Sequence, residues 1–151
     1  MKIAIGADHA GFDLKEVLVR HLKAEGHQVE DMGAYNAQAS DYPLFGEKVA
    51  KAVASKQADR GILICGNGIG MSIVANKVPG VRAALVFTEK MAEQTREHND
   101  SNVLSLAGRD LPQDTNLKLA DIWLKTPFSN VDRHIRRVEE IKKMETQDLK
   151  S

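Results

Sequence analysis

Apolar residues fall in two rhythms along this chain, and the rhythms alternate from end to end. Short apolar runs over 2–7, 28–32, 61–65, 82–87 and 102–106 predict strands. Between them the apolar positions are spaced three and four apart. Leu14, Val17, Leu18, His21 and Leu22 place a helix over 12–25, and Gly26 ends it. A polar loop over 33–42 leads to Pro43, which suits the first turn of a helix running to about 56. A helix over 69–77 stops before Pro79-Gly80, and Thr88 caps another over 89–98. Helices over 114–125 and 131–146 follow, the last one highly charged, and 147–151 is expected to fray.

A strand–helix order of this kind implies a three-layer α/β domain with a parallel sheet and right-handed crossovers. The length of 151 residues suits one domain over 1–151 with a full core. The formal net charge is zero, so no global field draws the chain to nucleic acid or to a membrane. No apolar run is long enough to span a bilayer, and the chain is expected to enter its first strand without a signal peptide. The single cysteine excludes an internal disulfide and is compatible with a reducing, cytoplasmic setting.

That cysteine, Cys65, stands where the third strand runs into Gly66-Asn67-Gly68-Ile69-Gly70 and then a helix. A thiol there is either a small hydrophobe at a strand end or a group facing a ligand, with partial positive charge from the helix N-terminus favouring thiolate. Ligands of parallel sheets bind beyond the carboxyl ends of the strands. Strand one ends at Asp8-His9, strand two is followed by Asp41 and Tyr42, and strand five by Gly108-Arg109. An acid, an imidazole, a thiol and a guanidinium therefore share one rim, which is the combination a reactive site needs.

His98-Asn99-Asp100 does not fit that rim. It closes a helix just before strand five, and helices of this topology return the chain to the opposite edge. These residues either serve a neighbouring subunit's site or simply place a cation at a helix C-terminus. Arg133, His134, Arg136 and Arg137 open the last helix. Arg133 and Arg137 share a face and suit a phosphate, or else pair with Glu139 and Glu140.

Other motifs fail. Gly66, Gly68 and Gly70 miss the dinucleotide spacing because Met71 fills the last slot. The segment from Gly6 to Gly11 begins like a phosphate-binding loop but continues Phe12-Asp13, against ATP. The histidines show no close metal-ligand spacing. Aromatic content of 5% supplies poorly a stacking platform for flavin or single-stranded nucleic acid.

With these residues in view, the chain resembles the B-type ribose-5-phosphate isomerases and galactose-6-phosphate isomerase subunits. The resemblance rests on 6–12 (Gly6-Ala7-Asp8-His9-Ala10-Gly11-Phe12), Asp41-Tyr42-Pro43 and 64–70. Ala75-Asn76-Lys77 with Gly80-Val81-Arg82-Ala83, His98-Asn99-Asp100, and Arg133-His134 with Arg137-Val138 complete it. It implies a Rossmann-like five-stranded parallel sheet and a homodimer or homotetramer with shared active sites, the last helix lying near a subunit interface. It implies aldose–ketose interconversion of a phosphorylated sugar without metal or cofactor. By motif, Cys65 looks like the base that moves a proton between C1 and C2, and His98 like the acid that helps open the sugar ring. Asp8, His9, Gly66, Asn67, Gly68, Ile69, Gly70, Asn99, Arg109, Arg133 and Arg137 look like substrate contacts.

Asn67 stands where many members of that family carry Thr or Ser, and Arg136 adds a cation beside the usual pair. Ribose 5-phosphate to ribulose 5-phosphate is the leading reaction. Another tetrose or hexose phosphate, a weakly active sugar-phosphate-binding subunit and a flavodoxin-like electron carrier are the alternatives.

Overall fold

The structure, a computed structural model, describes residues 1–148. Five strands form the sheet: β1 (Lys2–Ala7), β2 (Gln28–Asp31), β3 (Arg60–Cys65), β4 (Ala83–Leu85) and β5 (Val103–Ala107). Their order is β2-β1-β3-β5-β4, and every pairing is parallel. Six helices connect and follow them: α1 (Phe12–Ala24), α2 (Tyr42–Ala54), α3 (Ile69–Ala75), α4 (Glu89–Asn99), α5 (Gln113–Lys125) and α6 (Asp132–Asp148). The segment over 149–151, part of the stretch expected to fray, lies outside the described residues.

The two-residue period of each strand sorts its side chains onto two cores. Ile3, Ile5, Ile62, Ile64, Leu104 and Leu106 face Leu14, Leu18 and Leu22 of α1, Ala92 of α4 and Trp123 of α5. Ala4, Leu63, Cys65 and Val103 face Val49 and Val53 of α2 and Met71 and Ala75 of α3. The inner strands are buried on both faces, so they read in the sequence as near-continuous apolar runs.

This layering opens a crevice. The helix after β1 covers one face and the helix after β3 covers the other, while β1 and β3 are neighbours in register from Ile3↔Arg60 to Ala7↔Ile64. Their carboxyl ends therefore flank the switch point of the sheet, the usual ligand position in such folds.

Several boundaries differ from the sequence pattern for local reasons. β4 spans three residues where the pattern predicted six. Side chains take over the backbone groups at its start: Arg82 N donates to Asn102 Oδ1 at 2.8 Å and Ala83 N to Asn76 Oδ1 at 2.8 Å. α3 stops at Ala75, and the next residues form a turn in which Lys77 N donates to Val74 O and Val78 N to Ala75 O. Thr88 caps α4 as expected, accepting from Met91 N at 3.2 Å.

Trp123 is fully buried, and its indole N–H donates to Ser101 Oγ at 2.8 Å, joining α5 to the segment before β5. Trp123→Ala is expected to cost about 3–5 kcal/mol, read as a lower midpoint of urea unfolding.

Candidate active site

At the switch point a cavity of about 400 Å³ is lined by Asp8, His9, Ala10, Tyr42, Cys65, Gly66, Asn67, Ile69, Gly70, Ile73 and Arg109. Eight of the thirteen residues expected at the site are among them. Cys65 is the last residue of β3, and its side chain is 5% exposed on the α2/α3 face. Asp8 follows β1 and is buried. Its Oδ1 accepts from Ala10 N at 2.9 Å and from Gly11 N at 3.1 Å, which turns the chain into α1. Its Oδ2 has no partner among the described residues, and this atom is not sealed from solvent.

The glycine turn is shaped to present backbone N–H groups. Gly68 adopts φ +80°, and a Cβ there would lie 2.5 Å from Leu85 Cδ1, so only glycine fits. Its carbonyl is turned inward to accept from the buried Ser105 Oγ at 2.6 Å. The N–H groups of Gly66, Asn67, Gly68 and Gly70 have no hydrogen-bond partner among the described residues. The Asn67 side chain instead accepts from Ile69 N at 3.0 Å, which leaves its Nδ2 donors outward. Gly70 packs under Tyr42, whose ring would lie 2.7 Å from any Cβ. The exposed Arg109 guanidinium, on the loop after β5, forms no ion pair among the described residues. The result is a concave surface of unpaired donors beside a buried thiol, suited to an anionic ligand.

His9 is set by a residue the sequence reading passed over. Ser40 Oγ accepts from His9 N at 3.1 Å, and Ser40 N donates to His9 Nδ1 at 3.2 Å. The neutral ring then carries its proton on Nε2. The two residues are 31 apart in the chain, and no local pattern announces their contact.

His98, Asn99, Arg133 and Arg137 lie elsewhere. The C-terminal end of α4 sits beside Arg82, the residue before β4, with Arg82 Nε donating to Asn99 O at 3.0 Å. That is the amino edge of the sheet, opposite Cys65. The His98 ring lies 4.5 Å from the His134 ring, at a tilt of 36°. The buried His134 exchanges a hydrogen bond of 2.6 Å with Ser129 Oγ. Arg136 approaches Glu140 and Glu139 bonds Lys142, so Arg133 and Arg137 have no carboxylate partner among the described residues. Among the described residues one cluster, His21, Glu25 and Asp121, brings metal-type donor atoms within 4.8 Å of one another. It lies on α1 and α5 away from the cavity, and His21 Nε2 is bonded to Asp121 Oδ1 at 2.8 Å.

Fold and cavity together define an α/β protein with an anion-receptive crevice at the switch point and a nucleophilic side chain in its wall. The family model described as "Ribose/Galactose Isomerase" matches residues 3–141. The chain is 42% identical over 144 residues to ribose-5-phosphate isomerase B of Escherichia coli, covering 95% of this chain and 96% of that one. It superposes on a ribose-5-phosphate isomerase B from Clostridium thermocellum with a TM-score of 0.95, at 48% identity, covering 97% and 99% of the two chains. Ribose-5-phosphate isomerase B from Mycoplasma genitalium, with bound ribulose 5-phosphate, gives a TM-score of 0.92 at 42% identity over 96% of each chain. The chain belongs to the ribose/galactose isomerase family.

Burial lowers the pKa of His134 below the ordinary 6.5, and the neighbouring Arg133, His98 and Arg137 push it the same way. The unfolded chain thus binds a proton at this residue at a pH where the folded chain does not. Stability falls as pH drops from 6.5 towards the folded value. Urea midpoints measured at about pH 7.5 and about pH 5.5 are expected to drop less on acidification in His134→Gln than in the unsubstituted protein.

Proposed function

We propose that this chain interconverts an aldose phosphate and a ketose phosphate, and that the pair is ribose 5-phosphate and ribulose 5-phosphate. The observation that carries the reading is the Cys65 thiol in the wall of a cavity rimmed by unpaired N–H groups and the free Arg109 cation. The names of the relatives and the ribulose 5-phosphate bound to one of them support the choice of sugar.

The chemistry follows from the parts. His98 gives a proton to the ring oxygen as the C1–O bond breaks, and the O1 hydroxyl proton leaves to solvent as the furanose opens to the free aldehyde. The Cys65 thiolate takes the proton from C2, and the electron pair moves into the carbon–carbon bond, leaving an enediolate with charge on O1. The N–H groups of Gly66, Asn67, Gly68 and Gly70, with Asn67 Nδ2, hold that charge. The proton of the O2 hydroxyl passes to O1, and the thiol returns its proton to C1, which completes the ketose. Asp8 Oδ2 and Asn99 hold sugar hydroxyls. His9 through its Nε2–H, Arg109, Arg133 and Arg137 hold the phosphate, whose binding energy orients the reacting carbons. Ile69 walls the same turn.

His98, Asn99, Arg133 and Arg137 lie across the sheet from Cys65, so one copy of the chain does not assemble this set. In the proposed assembly, residues 1–151 form one isomerase domain and a homodimer or homotetramer brings one copy's α4 end and α6 to the next copy's crevice. The exposed Val131, Ile135, Ile141 and Met144, on α6 and just before it, supply apolar surface for that contact.

Cys65→Ala is expected to lower turnover by about 10²–10⁴-fold while leaving the far-ultraviolet spectrum unchanged. Equal turnover in the two proteins contradicts the base. Ribulose 5-phosphate has its O5 phosphorylated and stays open-chain, so it needs no ring opening. In deuterium oxide, His98→Asn is expected to slow conversion of ribose 5-phosphate by about 10²-fold or more yet keep exchange of the ribulose C1 proton near its original rate. Mixing Cys65→Ala with His98→Asn, after confirmed subunit exchange, is expected to restore about a quarter of the original ribose 5-phosphate turnover if each site draws from two chains of a dimer. No recovery removes the shared site.

A further inference from the structure

The end of α4 is built in an unusual way. Its carbonyls are capped by backbone N–H groups, Asp100 N donating to Arg96 O and Ser101 N to Thr95 O at 3.2 Å each, in a turn that glycine ordinarily leads. Here Asp100 occupies the left-handed position, at φ 47° and ψ 45°. Three successive carbonyls, of Asn99, Asp100 and Ser101, accept hydrogen bonds from guanidinium groups. Arg82 Nε donates to Asn99 O at 3.0 Å, Arg82 Nη2 to Asp100 O at 2.8 Å, and Arg96 Nη1 to Ser101 O.

The Asp100 carboxylate completes the arrangement. Its Oδ1 accepts from Arg96 Nη1 at 2.9 Å and its Oδ2 from Arg82 Nη2 at 3.4 Å. Arg96 is 3% exposed, and its Nε also donates to Thr126 O at the end of α5. One carboxylate thus links an arginine before β4 to an arginine inside α4, and through Arg96 reaches the end of α5. A glycine would adopt the same backbone conformation more easily but could not bridge the two cations. The two residues immediately before this bridge are His98 and Asn99.

We propose that Asp100, gripped by Arg82 and Arg96, is a positioning residue that fixes the last turn of α4 and so the placement of His98 for ring opening. This rests on the role given to His98 above. Loss of the bridge leaves Arg82 and Arg96 holding the turn through its carbonyls alone. An acid displaced by this looser grip fails at ring opening, whereas the thiol across the sheet still exchanges protons with an open-chain ketose.

The test compares Asp100→Gly, Asp100→Asn and His98→Asn in two assays: turnover of ribose 5-phosphate, and exchange of the ribulose 5-phosphate C1 proton in deuterium oxide. Asp100→Gly keeps the backbone conformation and removes the bridge. It is expected to lower aldose turnover about tenfold more than it lowers ketose exchange, half or more of that loss being regained in Asp100→Asn, whose Oδ1 still accepts from Arg96. Equal losses in both assays, or none, in a folded Asp100→Gly overturn the positioning role while His98→Asn still separates them. If Asp100→Gly does not fold, Arg82→Met, which removes the other cation of the bridge, is read in the same two assays, and an unchanged ratio of the two rates overturns the role. If His98→Asn itself shows no separation, the ring-opening assignment falls and the positioning role with it.

Discussion

The pairing of β1 with β3 is the contact on which the site depends. Parallel strands locked in the register Ala7↔Ile64 bring the residues after them, Asp8 and Cys65, side by side. The register is held by burial on both faces, since Ile3, Ile5, Ile62 and Ile64 point to one core and Ala4 and Leu63 to the other. A slip of one residue would exchange the two cores at once, so no neighbouring register competes. With the strands fixed, α1 leaves over one face and α3 over the other, and the crevice is the space neither helix covers.

What fills that crevice with positive potential is local. α3 has seven residues, so its aligned dipole is short, and the field at Cys65 comes mainly from individual N–H groups of the turn before it. The left-handed Gly68 turns its carbonyl away to Ser105 and leaves the N–H groups outward. Asn67 uses its oxygen on Ile69 N and keeps its amide N–H donors for the cavity. A hydroxyl at this place would have offered both a donor and an acceptor. An amide whose oxygen is already engaged offers donors alone, which changes the proton traffic available to a ligand without removing the positive rim.

Much of this was legible in the chain because it depends on period and chain order. Strand and helix rhythms placed all eleven elements of the described residues, and the rule of carboxyl strand ends gathered Asp8, His9, Cys65 and Arg109 on one rim, where one cavity now holds them. The misses have a common cause. At the start of β4 the side chains of Asn102 and Asn76 take the N–H groups of Arg82 and Ala83, so Arg82 drops out of the predicted strand. Ser40 on His9, His134 on His98, and Arg82 on Asp100 are contacts between residues far apart in the chain. Neither partner carries a periodic or spacing signal, so only the packed structure pairs them.

The two groups of polar residues differ in how complete they are. The rim at Cys65 surrounds a cavity within one chain and leaves its N–H groups unpaired among the described residues. On α6, Arg133 and Arg137 project from an exposed face with no carboxylate in reach among the described residues, although Arg136, one turn along, has Glu140. Two like charges four residues apart repel on a helix, and cations near its first turn oppose the dipole. Such a placement is unfavourable in an isolated chain and becomes favourable when a doubly charged anion sits between the two guanidiniums. His134 strengthens the asymmetry, because its depressed pKa keeps a third positive charge from forming between them at neutral pH. In the proposed assembly the cationic face and the anion-receptive rim would meet across two copies, and the exposed apolar residues along α6 would supply the contact.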